Sequence, residues 1–417
     1  MPCQYQFQGQ REYIVSYTAL HAHLKKVCNY IDDEIDLGGG LVLRNFDFSS
    51  RIRFPEPFRE QGPNLALPEL QDEGCELSSL YTHLNMTDSD ISDNLNFRYH
   101  IIYPPHEKKA RNIIILFHGF NEKHWDKYLP WAFHLARKTG KAVVMFPIAF
   151  HMNRAPAIWS DKRHMHKASQ ERKRRYPFLI DSTLSNAAIS TRLHNRPERF
   201  IWSGLESYHD VIDLVESIKK GQHPGIEPEA GIDFCSYSIG TFLGEIVLMT
   251  NKNGYFADSK YATFCGGPVF NRLSPVSKFI LDSESNVSLY SYLVEHLESH
   301  MRDSPQLNHL LSGAFEEGVN FRCLLNYKKE LQYREDKFRA FSERFYAVAL
   351  ANDEVVPAYE VINTLQGSRK DIGIRVDVLD YEYPHRHEDP FPINSRISGA
   401  VDKAFTLTFD RIGEFLS

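Results

Sequence analysis

Among the 417 residues, no apolar run approaches the ~18 consecutive residues that a membrane-spanning helix needs. The first residues, MPCQYQFQGQREY, also lack the basic start and apolar stretch of a secretory signal. Neither sign of charge dominates: 48 Lys and Arg stand against 54 Asp and Glu, a formal net charge of -6. That balance argues against nucleic acid or an anionic membrane as the main partner. Six cysteines (Cys3, Cys28, Cys75, Cys235, Cys265 and Cys323) form no short pair and no metal-type spacing. The expectation is a soluble cytoplasmic chain whose Cys235 and Cys265 are small buried thiols within apolar strands. No internal repeat or low-complexity tract is visible. The 42% hydrophobic and 24% charged content is that of a globular protein, which excludes wholesale disorder.

Residues 1–93 read as an N-terminal extension. Ile14, Tyr17, Leu20, Leu24, Val27 and Tyr30 recur every three or four residues, which predicts an amphipathic helix ended by the triplet Gly38–Gly40. LVLRNFDFSSRIRF then supplies a short strand or two, and the polar, turn-rich residues 60–93 mark the boundary. Such an extension can add edge strands, cover the sheet or make a dimer contact, and the oligomeric state stays open.

From residue 94 onward the pattern alternates. Strands are predicted at NFRYHIIYPP, RNIIILF, KAVVMFPIAF, GIDFCSY, YATFCGG, RFYAVALAND and IRVDVLDYEY. Helical stretches separate them, including DKYLPWAFHLARKTG, TFLGEIVLMT and the final AVDKAFTLTFDRIGEFL. The nearly unbroken apolar run Ile113–Phe117 suits a strand covered on both faces. The fold class is therefore α/β, a mostly parallel central sheet with helices on both faces. Residues 150–230 and 268–343 interrupt the alternation. They are expected to be helical cap insertions over the carboxyl ends of the strands, where ligands bind in such sheets.

The chemistry-bearing segment is Ser236-Tyr237-Ser238-Ile239-Gly240, between an apolar strand and a helix that carries Gly244. A nucleophile on a sharp strand-to-helix turn needs very small residues two positions before and two after it. Ser236 stands where glycine is commoner. A serine hydroxyl requires a base, and the base an orienting acid. Asp353 follows the strand RFYAVALA, with Glu354 as a nearby substitute. His387 follows IRVDVLDYEY and is preferred to the alternate His385, because it lies three residues past Pro384 where the loop has room to fold back. Backbone N–H groups of Phe120 and Ile239 are the candidate oxyanion donors, with Gly119 allowing the close turn. His118, which ends an interior strand, reads as a packing residue rather than a base.

HGF after a buried strand, SYSIG at a turn, an acid in NDEVVP and a late histidine together resemble the α/β-hydrolase superfamily over about residues 95–417. Within it, FPIAFHMNRAPA, SNAAISTRLHNRPERFIWSGLESYHDV, SYSIGTFLGE and FCGGPVFNR are similar to a largely bacterial hydrolase-like group of unknown function. The resemblance implies Ser238 as nucleophile, Asp353 as acid and His387 as base, acting on a small-molecule acyl substrate. It implies no metal and no organic cofactor. Esterase, lipase, thioesterase and peptidase activities all occur on this fold, so the fold does not choose among them. The alternative function is a non-catalytic scaffold of the same fold that binds a ligand or a protein partner.

Three further features bear on a substrate. KRHMHKASQERKRRYP (162–177) is either a solvated helical face or a rim that attracts anions. Arg154 is either a ligand for a substrate carboxylate or part of a structural ion pair. Phe150, Trp159, Trp202 and Tyr208 either line an acyl pocket or are core.

Overall fold

The structure, a computed structural model, describes residues 16–51, 80, 82–105 and 108–417. Its centre is a nine-stranded sheet in the order β1-β2-β3-β5-β4-β6-β7-β8-β9. The strands are β1 (Glu34–Gly38), β2 (Leu41–Ser49), β3 (Asn96–Tyr103), β4 (Ala110–Phe117), β5 (Ala142–Met145), β6 (Ile226–Tyr237), β7 (Tyr261–Phe264), β8 (Phe345–Leu350) and β9 (Arg375–Leu379). From β5 through β9 every neighbouring pair is parallel, whereas β1, β2 and β3 form an antiparallel edge that joins the rest through β3 and β5.

The alternation along β4 explains why both faces are covered. Ile113, Ile115 and Phe117 point into one core with the helices Arg199–Lys219 and Gly240–Thr250. Ile114 and Leu116 point into the other, with the helices Leu129–Thr139 and Ser398–Leu416. A strand sandwiched in this way carries apolar residues at every position, so its run is continuous rather than alternating.

The N-terminal helix is Tyr17–Val27. It begins where the Ser16 side chain accepts from the Ala19 amide and buries Tyr17, Leu20 and Leu24 against the second core. Tyr17 meets Phe405 at 4.7 Å and Phe391 at 5.5 Å between ring centroids. Residues 52–79 and 81, which hold most of the expected boundary segment, lie outside the described residues, as do residues 1–15 with Cys3. Among the described residues Cys28, Cys235, Cys265 and Cys323 are free thiols, with Cys235 and Cys265 buried. Also among them, no helix is long and apolar enough to cross a membrane.

Both interruptions of the alternation are mainly helical and they pack on each other. Ala187–Asn195 of the first lies against Ser283–Tyr290 of the second. A buried bidentate pair, Arg172 to Asp282 at 2.6 and 2.8 Å, joins them. The basic segment forms the helix Lys162–Arg175, which buries Met165, Ala168, Ser169 and Arg172 on one side. Long helix Arg199–Lys219 is not a cap element, because it packs on β6 as an ordinary crossover.

β7, β8 and β9 stop at Phe264, Leu350 and Leu379, short of the expected segments, and two further strand ends differ for identifiable reasons. β5 stops at Met145 rather than running through FPIAF, since Pro147 cannot donate to a ladder and Phe150 takes φ +64°. β6 begins at Ile226, five residues earlier than the apolar pattern suggests, as Ile226 pairs with Ala110 before the register shifts.

Candidate active site

Four loops leave the carboxyl ends of β4, β6, β8 and β9 and meet at one rim. Ser238 follows Tyr237, the last residue of β6, and opens into the helix Gly240–Thr250. Its φ is +55°, a left-handed conformation that costs a non-glycine residue roughly 1–2 kcal/mol. The surroundings impose this bend. Ser238 N donates to Phe264 O at 3.2 Å, and Ser238 O accepts from Thr241 N at 2.9 Å. A Cβ on Gly240 would come within 2.6 Å of His118 O and 2.9 Å of Phe117 O, so the helix start can press against β4 only as glycine.

Ser236 accounts for its own departure from glycine. Its hydroxyl is buried and bonds Tyr261 Oη at 2.7 Å and Thr241 Oγ1 at 3.0 Å, and Thr241 in turn bonds Thr263. The extra oxygen is satisfied by a hydroxyl cluster under the turn, as a buried polar atom must be. Gly266, which the sequence pattern did not single out, closes the other side: a Cβ there would overlap Thr241 Oγ1 at 1.9 Å.

Asp353 lies three residues beyond β8. Its Oδ1 accepts from the amides of Val355 and Val356, both at 2.9 Å, which aims Oδ2 at His387 Nδ1, 2.8 Å away. Burial alone would raise this carboxyl. The charge and hydrogen bond of His387 and the two amides outweigh it and hold Asp353 below its ordinary value. His387 Nε2 in turn stands 2.7 Å from Ser238 Oγ. With Nδ1–H donated to the carboxylate, Nε2 carries the lone pair that faces the serine hydroxyl.

The loop that delivers His387 has to pass over β8 and β7 to reach β6. It is tied at several points. Tyr383 Oη donates to Pro390 O at 2.8 Å. Phe391 is buried between Phe264, Trp131 and Phe405. Tyr237, the residue just before Ser238, donates its hydroxyl to His387 O and stacks on the imidazole, with centroids 5.3 Å apart and planes 15° apart. Lys127 sits 4.7 Å over the Tyr237 ring and donates to Glu388 O at 3.0 Å. His385 is placed elsewhere, with Nδ1 donating to Tyr383 O at 3.1 Å and its ring beside Tyr381 and Tyr383.

His118 is fully buried. Its Nδ1 donates to Gly119 O at 2.7 Å and its Nε2 accepts from Ile148 N at 2.9 Å. Burial, with the neighbouring His151, pushes it well below its ordinary value, so it is a neutral strut for the loop that follows β4. That loop is held further by Gly119 N donating to Tyr128 Oη at 2.8 Å. Beyond it, the N–H groups of Phe120 and Ile239 donate to no group among the described residues.

Both residues line an apolar cavity that opens at Ser238 and is walled by Phe200, Phe242, Phe270 and Leu289. Its free space is about 40 Å3. That is more than the roughly 10–15 Å3 needed to admit one water, so the cavity has room for a small apolar group. Of the aromatics singled out earlier, Phe150 and Trp159 line a separate neighbouring cavity, while Trp202 and Tyr208 line neither.

Of the two roles left open for Arg154, the structure shows the ion pair and not a place at the cavity. It is fully buried and lines neither cavity. Its guanidinium donates to Asn94 Oδ1 at 3.1 Å, Pro147 O at 3.1 Å, Glu206 Oε1 at 3.0 Å and Asp210 Oδ2 at 2.7 Å. The group is consumed by protein partners, and the structural ion pair is its role here. Among the described residues no cluster of three or more His, Cys, Asp or Glu side chains is arranged to hold a metal ion.

Residues 12–417 match the family of unknown function DUF6051. The chain belongs to that family. No curated protein matches it. Among solved structures it is similar to carboxyl esterase 2 from the mycorrhizal fungus Tuber melanosporum, at 15% identity and a TM-score of 0.42 over 77% of this chain and 81% of that one. It is also similar to a thermostable esterase from Pseudomonas putida, at 11% identity and 0.42 over 95% and 88%. A third is the acylaminoacyl peptidase of Pyrococcus horikoshii, at 14% and 0.38 over 76% and 39%. At these identities and scores the likenesses lend no weight to any one activity. This DUF6051 chain has an α/β fold, a mostly parallel sheet covered by helices on both faces.

Proposed function

We propose that this DUF6051 protein is a serine hydrolase that cleaves a carboxylic ester, or a related acyl compound, carrying a short acyl group. The observation that carries the reading is the hydrogen-bonded row Ser238 Oγ, His387 Nε2, His387 Nδ1, Asp353 Oδ2, at 2.7 and 2.8 Å, on a serine held at positive φ.

In the first half-reaction Ser238 Oγ bonds to the substrate carbonyl carbon and its proton passes to His387 Nε2. The imidazolium is steadied by Asp353, which stays ionised. The carbonyl oxygen, now negative, lies between the free N–H groups of Phe120 and Ile239, which are worth most because no other group competes for them. Collapse breaks the bond to the leaving alkoxide, which takes the proton from His387. In the second half, His387 accepts a proton from water, whose oxygen attacks the acyl-enzyme, and the carboxylic acid leaves as Ser238 regains its proton.

The apolar cavity at Ser238 is the place for the acyl chain, and its small free space favours acetyl to butyryl groups. The test is turnover of 4-nitrophenyl esters of increasing length. Wild type should hydrolyse acetate and butyrate at least tenfold faster, in kcat/KM, than octanoate, and Ser238→Ala should reduce acetate turnover to background. Equal turnover by Ser238→Ala would remove Ser238 as the nucleophile.

A further inference from the structure

A second cavity lies on the far side of Phe120. Phe120 and Phe200 belong to the walls of both chambers, so this one is the neighbouring space open to the part of a substrate that lies outside the apolar cavity. The chemistry of the second wall differs. His151, packed on Phe120 at 5.3 Å between centroids, lines it together with Trp159, Lys123, Arg192, Glu122 and Asp88.

The charges there are unequally matched. Arg192 and Arg199, both on this wall, share Asp88, and Glu122 is paired with Lys127. Lys123 has no carboxylate within ion-pair distance among the described residues. Its ammonium makes a single long hydrogen bond, to Trp159 O at 3.3 Å. Burial of this unpaired charge depresses the lysine to about 8. Two more buried polar atoms on the wall have no partner among the described residues, His151 Nε2 and Trp159 Nε1. His151 Nδ1 donates to Ala149 O at 2.8 Å, so Nε2 of the neutral ring is an acceptor, open to a hydroxyl or a water rather than to an anion. A half-buried cation with one weak bond and an indole N–H with none are what a missing oxygen acceptor leaves behind.

We propose that this chamber binds a carboxylate on the leaving-group side of the substrate, with Lys123 as the charge that selects it. The inference rests on the reading of Ser238 as an acyl-transfer site and extends it to a substrate class: short-chain acyl esters of hydroxy acids. The free space is small, about 50 Å3, and a planar carboxylate asks less of it than a tetrahedral phosphate.

The experiment separates binding from turnover. In the Ser238→Ala protein, calorimetry compares acetoxyacetate and 4-acetoxybutanoate with their own methyl esters, which have the same acyl end and no charge. For at least one length the carboxylate should bind at least tenfold more tightly than its methyl ester. Lys123→Met in the same background should bring that ratio to about one, and Lys123→Arg should preserve most of it. Thermal melting checks that each variant is folded. A carboxylate bound no better than its methyl ester at both lengths overturns the proposal, as does a preference that survives Lys123→Met. Labelling of the wild-type protein by a fluorophosphonate reads the hydrolase assignment separately. Carboxylate selectivity without labelling would leave the chamber standing and remove the acyl chemistry; labelling without selectivity would do the reverse.

Discussion

Replacing Arg154 by methionine separates the two roles that its sequence position allows. The guanidinium is fully buried, stacks 4.1 Å from the Phe97 ring centroid and satisfies two carboxylates, Glu206 and Asp210, that are themselves buried. Methionine keeps the packing and removes the charge, which leaves both acids without a cation. Breaking one side of a buried pair costs about 3–5 kcal/mol. At about 2.1 cal/mol/K per residue, a chain of this length has an unfolding entropy near 0.9 kcal/mol/K, so the melting temperature should fall by about 3–6 °C.

The loss should depend on pH in a definite direction. Burial pushes Glu206 up to about 7, with Arg154 drawing it down and Asp210 pushing it further up. A carboxyl raised in the folded state favours folding in its protonated form. That contribution is complete below the ordinary value of 4.5 and disappears as pH rises through about 7. Removing Arg154 takes away the influence that opposes the rise, so the variant's deficit should be largest near pH 8 and shrink toward pH 5. Differential scanning calorimetry at the two pH values, with KM for a short ester measured alongside, decides the matter. An unchanged melting temperature together with a raised KM would refute the structural role and return Arg154 to the substrate.

Further outcomes follow from the same geometry. Gly240→Ala places a methyl within 2.6 Å of His118 O, a contact with backbone that cannot swing away, so it should lower the melting temperature and displace Ser238 enough to slow turnover at least tenfold. Tyr237→Phe removes the bond to His387 O while keeping the stack; the expected cost is about 1 kcal/mol of stability, and kcat should fall while KM holds. Asp353→Asn should lower kcat by about three to four orders of magnitude, since the amide no longer fixes the imidazole tautomer. Because Asp353 is held below its ordinary 3.8, the stability it contributes is present above that pH and lost as pH falls through the depressed value. The gap in unfolding free energy between wild type and Asp353→Asn, followed by urea titration, should therefore close in acid.

Much of the fold is legible in single segments. Continuous apolar runs such as Ile113–Phe117 announce buried parallel strands, and SYSIG between a strand and a helix announces the turn. Ser238, Asp353 and His387 could be put in order because each follows a predicted strand, and the structure brings the three together. What could not be read is what depends on contacts between distant segments. Ser236 looks like a defect until Tyr261, Thr241 and Thr263 are seen to satisfy it. Arg154 sits just past a strand that points toward the rim, yet Glu206 and Asp210, more than fifty residues away, claim it. The apolar cavity at Ser238 is walled by Phe200, Phe242 and Phe270 rather than by Phe150, Trp159, Trp202 or Tyr208, because the face of a helix that looks inward is settled by packing on the sheet. Lys123 gave no signal either; a lone lysine after HGFNE reads as solvent-exposed until its missing partner is visible.

The central claim is that Ser238 attacks a carbonyl, and the most direct measurement is the site of a covalent adduct. After incubation with a fluorophosphonate and proteolysis, mass spectrometry should find one phosphonyl group per chain, on the peptide containing Ser238. His387→Ala should slow its formation by at least a hundredfold. An adduct on another residue, or a folded wild-type protein that takes up none, would contradict the account.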